Sequence, residues 1–412
     1  MPKRKKIFLF LILLLSLTFI SNKALKFYSS GQVLVLKQLS WRLKEFDFSF
    51  FKKFRKSKTI EIENLEINID SKSWNMILNY RDSIIDKNIV LKRFEKKYPA
   101  KIKFKNHLYD AKISLTGQTA EHVEFKNKIS FSIILKNNQI LGMNKFAVMH
   151  PHARGYLTDW IGTKLLIVNG AIGIRTNFIN VSINNSNKGL YLIEERFSKE
   201  LMEHNNLKNT FIMKINEDGS TKLYNKKKTS SLHKKVYKLI DKKVDSLFNG
   251  CVLKNNIFDL DKLALVSVVS DVLNQKHALF FDNLRFYYNS DSKLLEPIAR
   301  EWGYLRVETK TPSKRLISIP SDSVYEINSS QLSYHWQLIN HKVLGKIINS
   351  ESFRSSYLKY VDKICSENYL DTILLNYNQE FTKLLLKTHS FNPFYKFPIN
   401  LFKENQASIK YP

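Results

Sequence analysis

One stretch of the chain, residues 268–304, collects side chains whose types and spacing suit metal-dependent chemistry. They are Asp271, His277, Asp282, Asn283, Glu296 and Glu301. Two strand-like runs, Leu284–Tyr288 and Leu294–Ile298, lie between Asn283 and Glu301 and predict a hairpin. The hairpin brings a loop asparagine and a strand-end carboxylate to neighbouring ends, and two such oxygen ligands suit a hard cation. The alternative is an ordinary hairpin whose polar residues cap turns.

The elements that would position this hairpin follow no regular βαβ order. A helix with apolar residues at helical spacing is predicted to run into a loop at Gln275–His277. Other predicted strands are an alternating edge strand that follows Thr59, then Ala100–Phe104, Asp110–Leu115, Lys128–Leu135, Asn177–Asn184 and Gly189–Glu194. Other predicted helices are Ser73–Ser83, Leu157–Val168, Ser198–His204 and most of the chain after Lys310. The pattern predicts an α+β fold, with a mostly helical carboxy-terminal extension over residues 311–412.

Composition indicates a globular protein with anionic partners. The 412 residues are 43% hydrophobic, with 28 Phe and 19 Tyr, which is enough for a substantial core. The net charge of +29 favours phosphates, lipid headgroups, acidic glycans or nucleic acid as partners. Nucleic acid is the weaker candidate, because the charge is spread along a chain that begins with a membrane-targeting segment. The basic stretch Lys222–Lys243 is interpreted as a solvated helix or loop, and Cys251 and Cys365 are either a disulfide or two free thiols.

The amino terminus has the layout of a secretory signal. The basic run Lys3–Lys6 precedes the apolar run Ile7–Ile20, with no clear cleavage site after it. Residues 1–25 are therefore either a cleaved signal peptide or a membrane anchor. Residues 26–58 mix basic and aromatic side chains, and form either an interfacial segment on anionic lipid or a solvated connector. Both interpretations place the bulk of the chain outside the cytoplasm, exported or anchored to the membrane.

A family resemblance emerges from an ordered series of short motifs. They are Ile113–Gly117 (ISLTG), Lys128–Phe131 (KISF), Leu141–Phe146 (LGMNKF), Gly173–Phe178 (GIRTNF), Lys188–Glu195 (KGLYLIEE), Phe211–Lys214 (FIMK) and the hairpin itself. In this order, over residues 59–310, the chain resembles the CotH family of atypical, protein-kinase-like proteins. The resemblance implies a kinase-like fold that holds a nucleotide over a sheet and transfers phosphate with a divalent metal.

The resemblance also implies roles for particular residues. Lys128 and Lys214 become candidates to hold the phosphates of ATP, and Glu195 a candidate to pair with one of them. Asn283 matches the metal-binding asparagine of the family, and Glu301 stands where the family has an aspartate that binds Mg²⁺. The alternatives are that the lysines are ordinary surface residues, and that Glu195 is a first-turn carboxylate for the following helix.

The position of the family's catalytic aspartate is where this chain departs from the pattern. Gln275 occupies it, and glutamine cannot accept a proton. Asp271, Asp282 or His277 takes over that role, or the chemistry has been lost. The resemblance therefore implies an exported kinase that uses Mg²⁺ and ATP to phosphorylate hydroxyls of a protein or glycan substrate of the envelope. The alternatives are a degenerate pseudokinase that binds a partner or helps to assemble a surface structure, and a basic adhesin that binds glycans without a nucleotide.

Overall fold

The computed structural model describes residues 49–87, 96–117, 121–124, 128–226, 229–251, 256–303, 313, 315–317, 334 and 337–411. The chain divides into two compact units, Met1–Lys53 and Phe54–Pro412. Of the first unit only residues 49–53 are described, so the predicted signal or anchor and most of the basic segment after it lie outside the described residues. Within the described ranges, no helix has the length and apolar composition that crossing a bilayer requires.

Seven strands of the second unit form a closed barrel. They are β1 Asn64–Asn68, β2 Tyr98–Phe104, β3 His107–Leu115, β4 Phe131–Leu135, β5 Lys145–Met149, β6 Thr176–Ile183 and β7 Ser186–Glu195. Their spatial order is β1-β2-β3-β4-β5-β7-β6, and a parallel pairing of β1 with β6 closes the barrel. The prediction of an edge strand after Thr59 is therefore wrong, because closure of the barrel gives β1 a partner on both sides.

Alternation along the strands gives the barrel two apolar faces. In β7, Tyr191 and Ile193 point into the barrel core, whereas Leu190 and Leu192 belong to a second core outside it. In β5, Met149 likewise belongs to the core outside the barrel. A strand that is buried on both sides reads as a nearly continuous apolar run, and this accounts for the apolar sequence of residues 190–193.

A helical body packs against the outer face of the barrel. The described residues contain these helices, of which α2 packs on the core inside the barrel instead: α1 Ser49–Lys58, α2 Ser71–Lys87, α3 Glu121–Glu124, α4 Thr158–Val168, α5 Lys199–His204, α6 Ser231–Phe248, α7 Leu260–Leu273, α8 Leu344–Ile348, α9 Glu351–Ile364, α10 Tyr369–Asn376, α11 Asn378–Thr388 and α12 Ile399–Lys410. Helix α7 is apolar around most of its circumference and is buried throughout from Leu263 to Leu273. Helices α4, α9 and α12 pack directly on it, so the carboxy-terminal helices share one core with the body.

A four-stranded sheet completes the fold and carries the predicted hairpin. Its strands are β8 Ile212–Ile215, β9 Thr221–Leu223, β10 Arg285–Tyr288 and β11 Leu295–Ile298, in the order β11-β10-β8-β9. Arg285 pairs with Ile298 at one end of the hairpin, so the loop before β10 and the loop after β11 leave the sheet together. The predicted α+β class is confirmed, and so is the hairpin. Cys251 and Cys365 are both free thiols, the first exposed and the second buried.

Candidate functional site

The loop between α7 and β10 is shaped by its backbone. Helix α7 ends at Leu273, and Asn274 adopts the left-handed conformation (φ 52°) that stops a helix. A short 3₁₀ helix, Lys276–Leu279, then leads the chain back to Asn283 and β10. After β11, Glu301 also takes a left-handed conformation, with φ 71°. A glutamate rarely adopts this conformation, which costs about 1–3 kcal/mol unless its surroundings hold it there.

His277 connects the two predicted metal ligands. The side-chain amide nitrogen of Asn283 lies 2.8 Å from the His277 carbonyl oxygen, to which it donates, and 3.1 Å from the ring nitrogen Nε2. That same ring nitrogen is 3.7 Å from Oε2 of Glu301. The hairpin therefore brings Asn283, His277 and Glu301 together at one end of the sheet, and the sequence predicted that Asn283 and Glu301 would lie close.

Glu301 lies among cations. Its Oε1 is 3.0 Å from Arg300 and 3.4 Å from Arg154, and its side chain is only 12% exposed. Burial opposes ionisation of Glu301, but Arg300 and Arg154 outweigh it and hold its pKa well below the ordinary value. Glu301 therefore stays a carboxylate whose charge is already neutralised by two guanidinium groups.

A second buried carboxylate, Glu194, joins the same network. It lies 2.7 Å from Arg154, 2.8 Å from Arg196 and 3.3 Å from Arg300, and is 1% exposed. Burial alone would raise its pKa, but the three arginines lower it to about 2. Sequence reasoning missed Glu194, although it lies inside the recognisable run Lys188–Glu195, and also missed Arg196 and Arg300. These residues form the arginine–glutamate network, together with Arg154, Asp159 and Glu301.

This network does not fit a magnesium site. Mg²⁺ takes carboxylate and water oxygens in an octahedron, and ligands close to several positive charges lose much of their attraction for it. Both oxygens of Glu301 face cationic or histidine partners, and the amide of Asn283 presents its nitrogen to His277. Among the described residues, no group of three or more His, Cys, Asp or Glu is arranged to hold a metal ion.

Asp271 and Gln275 are interior residues. Asp271 is completely buried, pairs with Lys276, and accepts hydrogen bonds from the Tyr357 hydroxyl and from the backbone of Leu316 at 2.8 Å. Gln275 is also completely buried. In these positions Asp271 ties α7 to the carboxy-terminal helices, and neither side chain reaches solvent, where an acceptor hydroxyl would bind.

Asp282 is the candidate catalytic residue that faces solvent. Its side chain is 39% exposed and lies 2.9 Å from the ammonium group of Lys214 on β8. The backbone nitrogen of Asp282 donates to Glu217 at 3.2 Å. Lys214 and Asp282 thus form an accessible ion pair beside the His277 loop.

Lys128 and Glu195, which were also candidates for an ion pair, lie beside different partners. Lys128 lies three residues before β4 rather than on a strand, donates to the Lys188 carbonyl and lies 4.4 Å from the centre of the Tyr191 ring. Glu195 is completely buried as a side chain and pairs with Arg175, whose Nε lies 2.9 Å from its Oε2. Arg175 therefore supplies the cation that was predicted to come from a lysine.

A basic cavity of about 420 Å³ lies where the ends of β4 and β5 approach α5 and β8. Its lining includes Lys97, Lys136, Lys145, Lys199, Phe211 and Tyr224. Glu200 is the one carboxylate among the described residues that line it. The Oγ of Ser198, a lining residue that is only 5% exposed, has no hydrogen-bond partner among the described residues. Lysine side chains beside the partly exposed ring of Tyr224 suit a ligand that carries phosphate and a planar group.

Comparison of the chain with protein-family models and with curated proteins finds no match. The CotH resemblance therefore depends on the motifs quoted from the sequence and stays a prediction.

Asp159 and Glu194 give the protein opposite dependences of stability on pH. Burial, with Glu194 and Glu301 nearby, outweighs Arg154 and raises the pKa of Asp159 from 3.8 to about 7. The resulting stabilisation is complete below pH 3.8 and is lost as pH rises to about 7, because only the folded protein keeps the proton there. The contribution of Glu194 is present above its ordinary pKa of 4.5 and is lost as pH falls to about 2.

We expect Asp159→Asn to remove most of the fall in stability between about pH 4 and 7, a change of about 1–4 kcal/mol across that range. The free energy of unfolding in urea, measured at several pH values for wild type and variant, tests this. Asp82→Asn is the matched control, since Asp82 is 53% exposed and pairs with its neighbour Arg81 at the surface. Parallel pH profiles for wild type and Asp159→Asn would contradict the assignment.

Proposed function

We propose that this protein is a degenerate, CotH-like pseudokinase that binds a phosphate-bearing ligand without transferring phosphate. The observation that carries the proposal is the arginine–glutamate network. Phosphoryl transfer by kinases uses carboxylates that hold Mg²⁺ against the phosphates. Here Arg154 and Arg300 neutralise Glu301, so that carboxylate serves the fold instead of a metal.

The candidate bases support the same conclusion. A general base must lie within hydrogen-bond reach of the hydroxyl that it deprotonates. Asp271 and Gln275 are completely buried, and Asp271 is committed to Lys276 and Tyr357. With Asp271 and Gln275 enclosed in the core and Glu301 paired with arginines, the proposal assigns the protein ligand binding without phosphate transfer.

The basic cavity is where we place the ligand. Lysines attract phosphate oxygens as point charges, and an aromatic ring stacks on a planar base. Tyr224, which is partly exposed, supplies such a ring, and Lys136 and Lys145 lie on the barrel side of the cavity. A nucleotide of ordinary size fits a cavity of about 420 Å³. Because the chain begins with Lys3–Lys6 and Ile7–Ile20, we place this binding function at the extracytoplasmic face of a membrane.

Binding and transfer are separable by experiment. We expect equilibrium dialysis to show that wild-type protein binds ATP about equally with and without Mg²⁺, and that Lys136→Glu combined with Lys145→Glu abolishes binding. Lys72→Glu combined with Lys346→Glu is the control, because both lysines are exposed and neither lines the cavity. No incorporation of labelled phosphate into the protein or into envelope extracts is expected.

Gln275→Asp tests whether one missing base explains the absence of transfer. A restored base in a working site would raise the rate by about 10²–10⁴-fold. We expect no gain, and a lower unfolding midpoint, because the new carboxylate would be completely buried. Phosphate incorporation that appears with this variant, or that depends on Mg²⁺ in the wild type, would contradict the pseudokinase proposal.

An active kinase is the second candidate, and one observation favours it. Asp282 is a partly exposed carboxylate beside Lys214, and this is the arrangement that an accessible base and a phosphate-binding cation need. In that case wild-type protein would incorporate phosphate into its substrate, and Asp282→Ala would abolish the incorporation. Under the pseudokinase proposal, Asp282→Ala leaves ATP binding unchanged.

A further inference from the structure

Helix α6 presents an exposed face in which leucines and lysines are mixed. Leu232 and Leu239 are 65% and 63% exposed, far more than expected for leucines on a helix that packs on a core. They are seven residues apart and so lie on one face, about 10 Å apart along the axis. Exposed lysines surround them at positions Lys235, Lys238, Lys242 and Lys243.

The opposite face of α6 fixes the helix to the body. Ile240, Val244 and Phe248 are buried in the main core. The hydroxyl of Tyr237 lies 2.6 Å from that of Thr221 on β9, which adds a polar contact to the sheet. Because these contacts fix the opposite face, the leucines and lysines point away from the core. The helix cannot rotate to bury them without losing those contacts.

Charge and apolar groups on this face point to the same partner. Of the helix carboxylates, Asp241 is occupied by Thr221, and Asp245 lies on the far edge of the exposed face. The remaining exposed residues combine positive charge with two apolar side chains that are costly to leave in water. A nucleic acid or an acidic glycan would use the lysines alone, whereas the interface of an anionic bilayer uses both, since leucines enter the acyl boundary while lysines meet headgroups.

We propose that the exposed face of α6, defined by Leu232, Lys235, Leu239 and Lys242, docks on the surface of an anionic phospholipid bilayer. The dock is a second membrane contact, more than 200 residues along the chain from the apolar run Ile7–Ile20. When the predicted anchor is inserted in the bilayer, it raises the effective concentration of α6 at the membrane surface. The inference is independent of nucleotide binding and of the CotH resemblance.

Cys251 offers a native reporter close to the dock. It is an exposed thiol three residues beyond the end of α6 at Phe248, whereas burial raises the pKa of the Cys365 thiol to about 12. A thiol-reactive fluorophore at neutral pH therefore labels Cys251. The full chain, labelled and reconstituted in vesicles with nitroxide-labelled lipid, reports by quenching how closely the end of α6 approaches the bilayer.

We expect strong quenching in vesicles that contain phosphatidylglycerol and weak quenching in pure phosphatidylcholine. Lys235→Glu combined with Lys242→Glu is expected to lower the docking equilibrium at least about 25-fold, since each basic residue near an anionic surface is worth about fivefold. Leu232→Ser combined with Leu239→Ser is expected to reduce quenching in the same vesicles. The control Lys72→Glu with Lys346→Glu makes the same change in net charge at two exposed lysines outside the cavity, and it is expected to leave quenching unchanged. Every variant keeps residues 1–58.

Three results would overturn the proposal. The first is equal quenching in the two kinds of vesicle, and the second is quenching that survives the exchange of both lysines. The third is quenching that survives the leucine exchange while heparin or DNA competes for the protein, which would make α6 a site for polyanions instead. All substituted side chains are exposed, so circular dichroism is expected to match wild type and loss of quenching does not arise from unfolding.

Discussion

Arg154→Met is expected to lower the free energy of unfolding by about 3–5 kcal/mol. Arg154 is 4% exposed and lies within 3.4 Å of Asp159, Glu194 and Glu301. Methionine fills a similar volume but leaves these carboxylates with Arg196 and Arg300 as their remaining cations. Burying a charge that has lost its partner costs far more than a surface ion pair is worth. Urea unfolding followed by tryptophan fluorescence measures the loss.

Two variants separate this effect from a general effect of losing an arginine. Arg81→Ala removes an arginine that pairs with Asp82 at the surface, and we expect a change below about 1 kcal/mol. Arg154→Lys keeps the charge but loses the fork of donors that reaches several carboxylates, so its cost should lie between the other two. Equal costs for Arg154→Met and Arg81→Ala would contradict a stabilising role for the buried ion pairs of Arg154.

Asp271→Asn is expected to cost about 3 kcal/mol or more, because it removes the carboxylate that pairs with the buried ammonium group of Lys276. Lys276 is 2% exposed as a side chain. An asparagine keeps the shape of Asp271 and an oxygen for the hydroxyl of Tyr357 and the backbone of Leu316. Adding Lys276→Met to Asp271→Asn removes the positive charge as well, so the double variant should recover at least half of the loss. A double-mutant cycle in urea measures the coupling directly.

The same cycle decides between a structural and a catalytic Asp271. A structural pair gives a large coupling energy and leaves the binding of ATP unchanged wherever the variant is folded. A catalytic aspartate gives a small coupling energy, and Asp271→Asn then abolishes phosphate incorporation without changing the unfolding midpoint. That second pattern would contradict the structural role of Asp271, which is to connect α7 to the carboxy-terminal helices.

Much of the local architecture was determined by the sequence alone. Apolar residues at helical spacing in α7 and the two strand-like runs Leu284–Tyr288 and Leu294–Ile298 predicted a helix followed by a hairpin. Hairpin pairing is local, because a short turn fixes the register, and this is why the sequence also predicted that Asn283 and Glu301 lie close together. The α+β class followed from the irregular order of these local patterns.

The partners of the charged residues were decided only by the tertiary structure. The chain has 66 Lys and Arg, so the sequence offers every carboxylate many candidate cations and does not distinguish among them. Arg154, Glu194 and Glu301 come from distant segments and meet only because the barrel packs against the sheet. The same packing buries Asp271 beside Tyr357 and closes the barrel through a parallel pairing of β1 with β6. Such contacts depend on which buried surfaces pack together. The spacing of residues along the chain does not determine that packing.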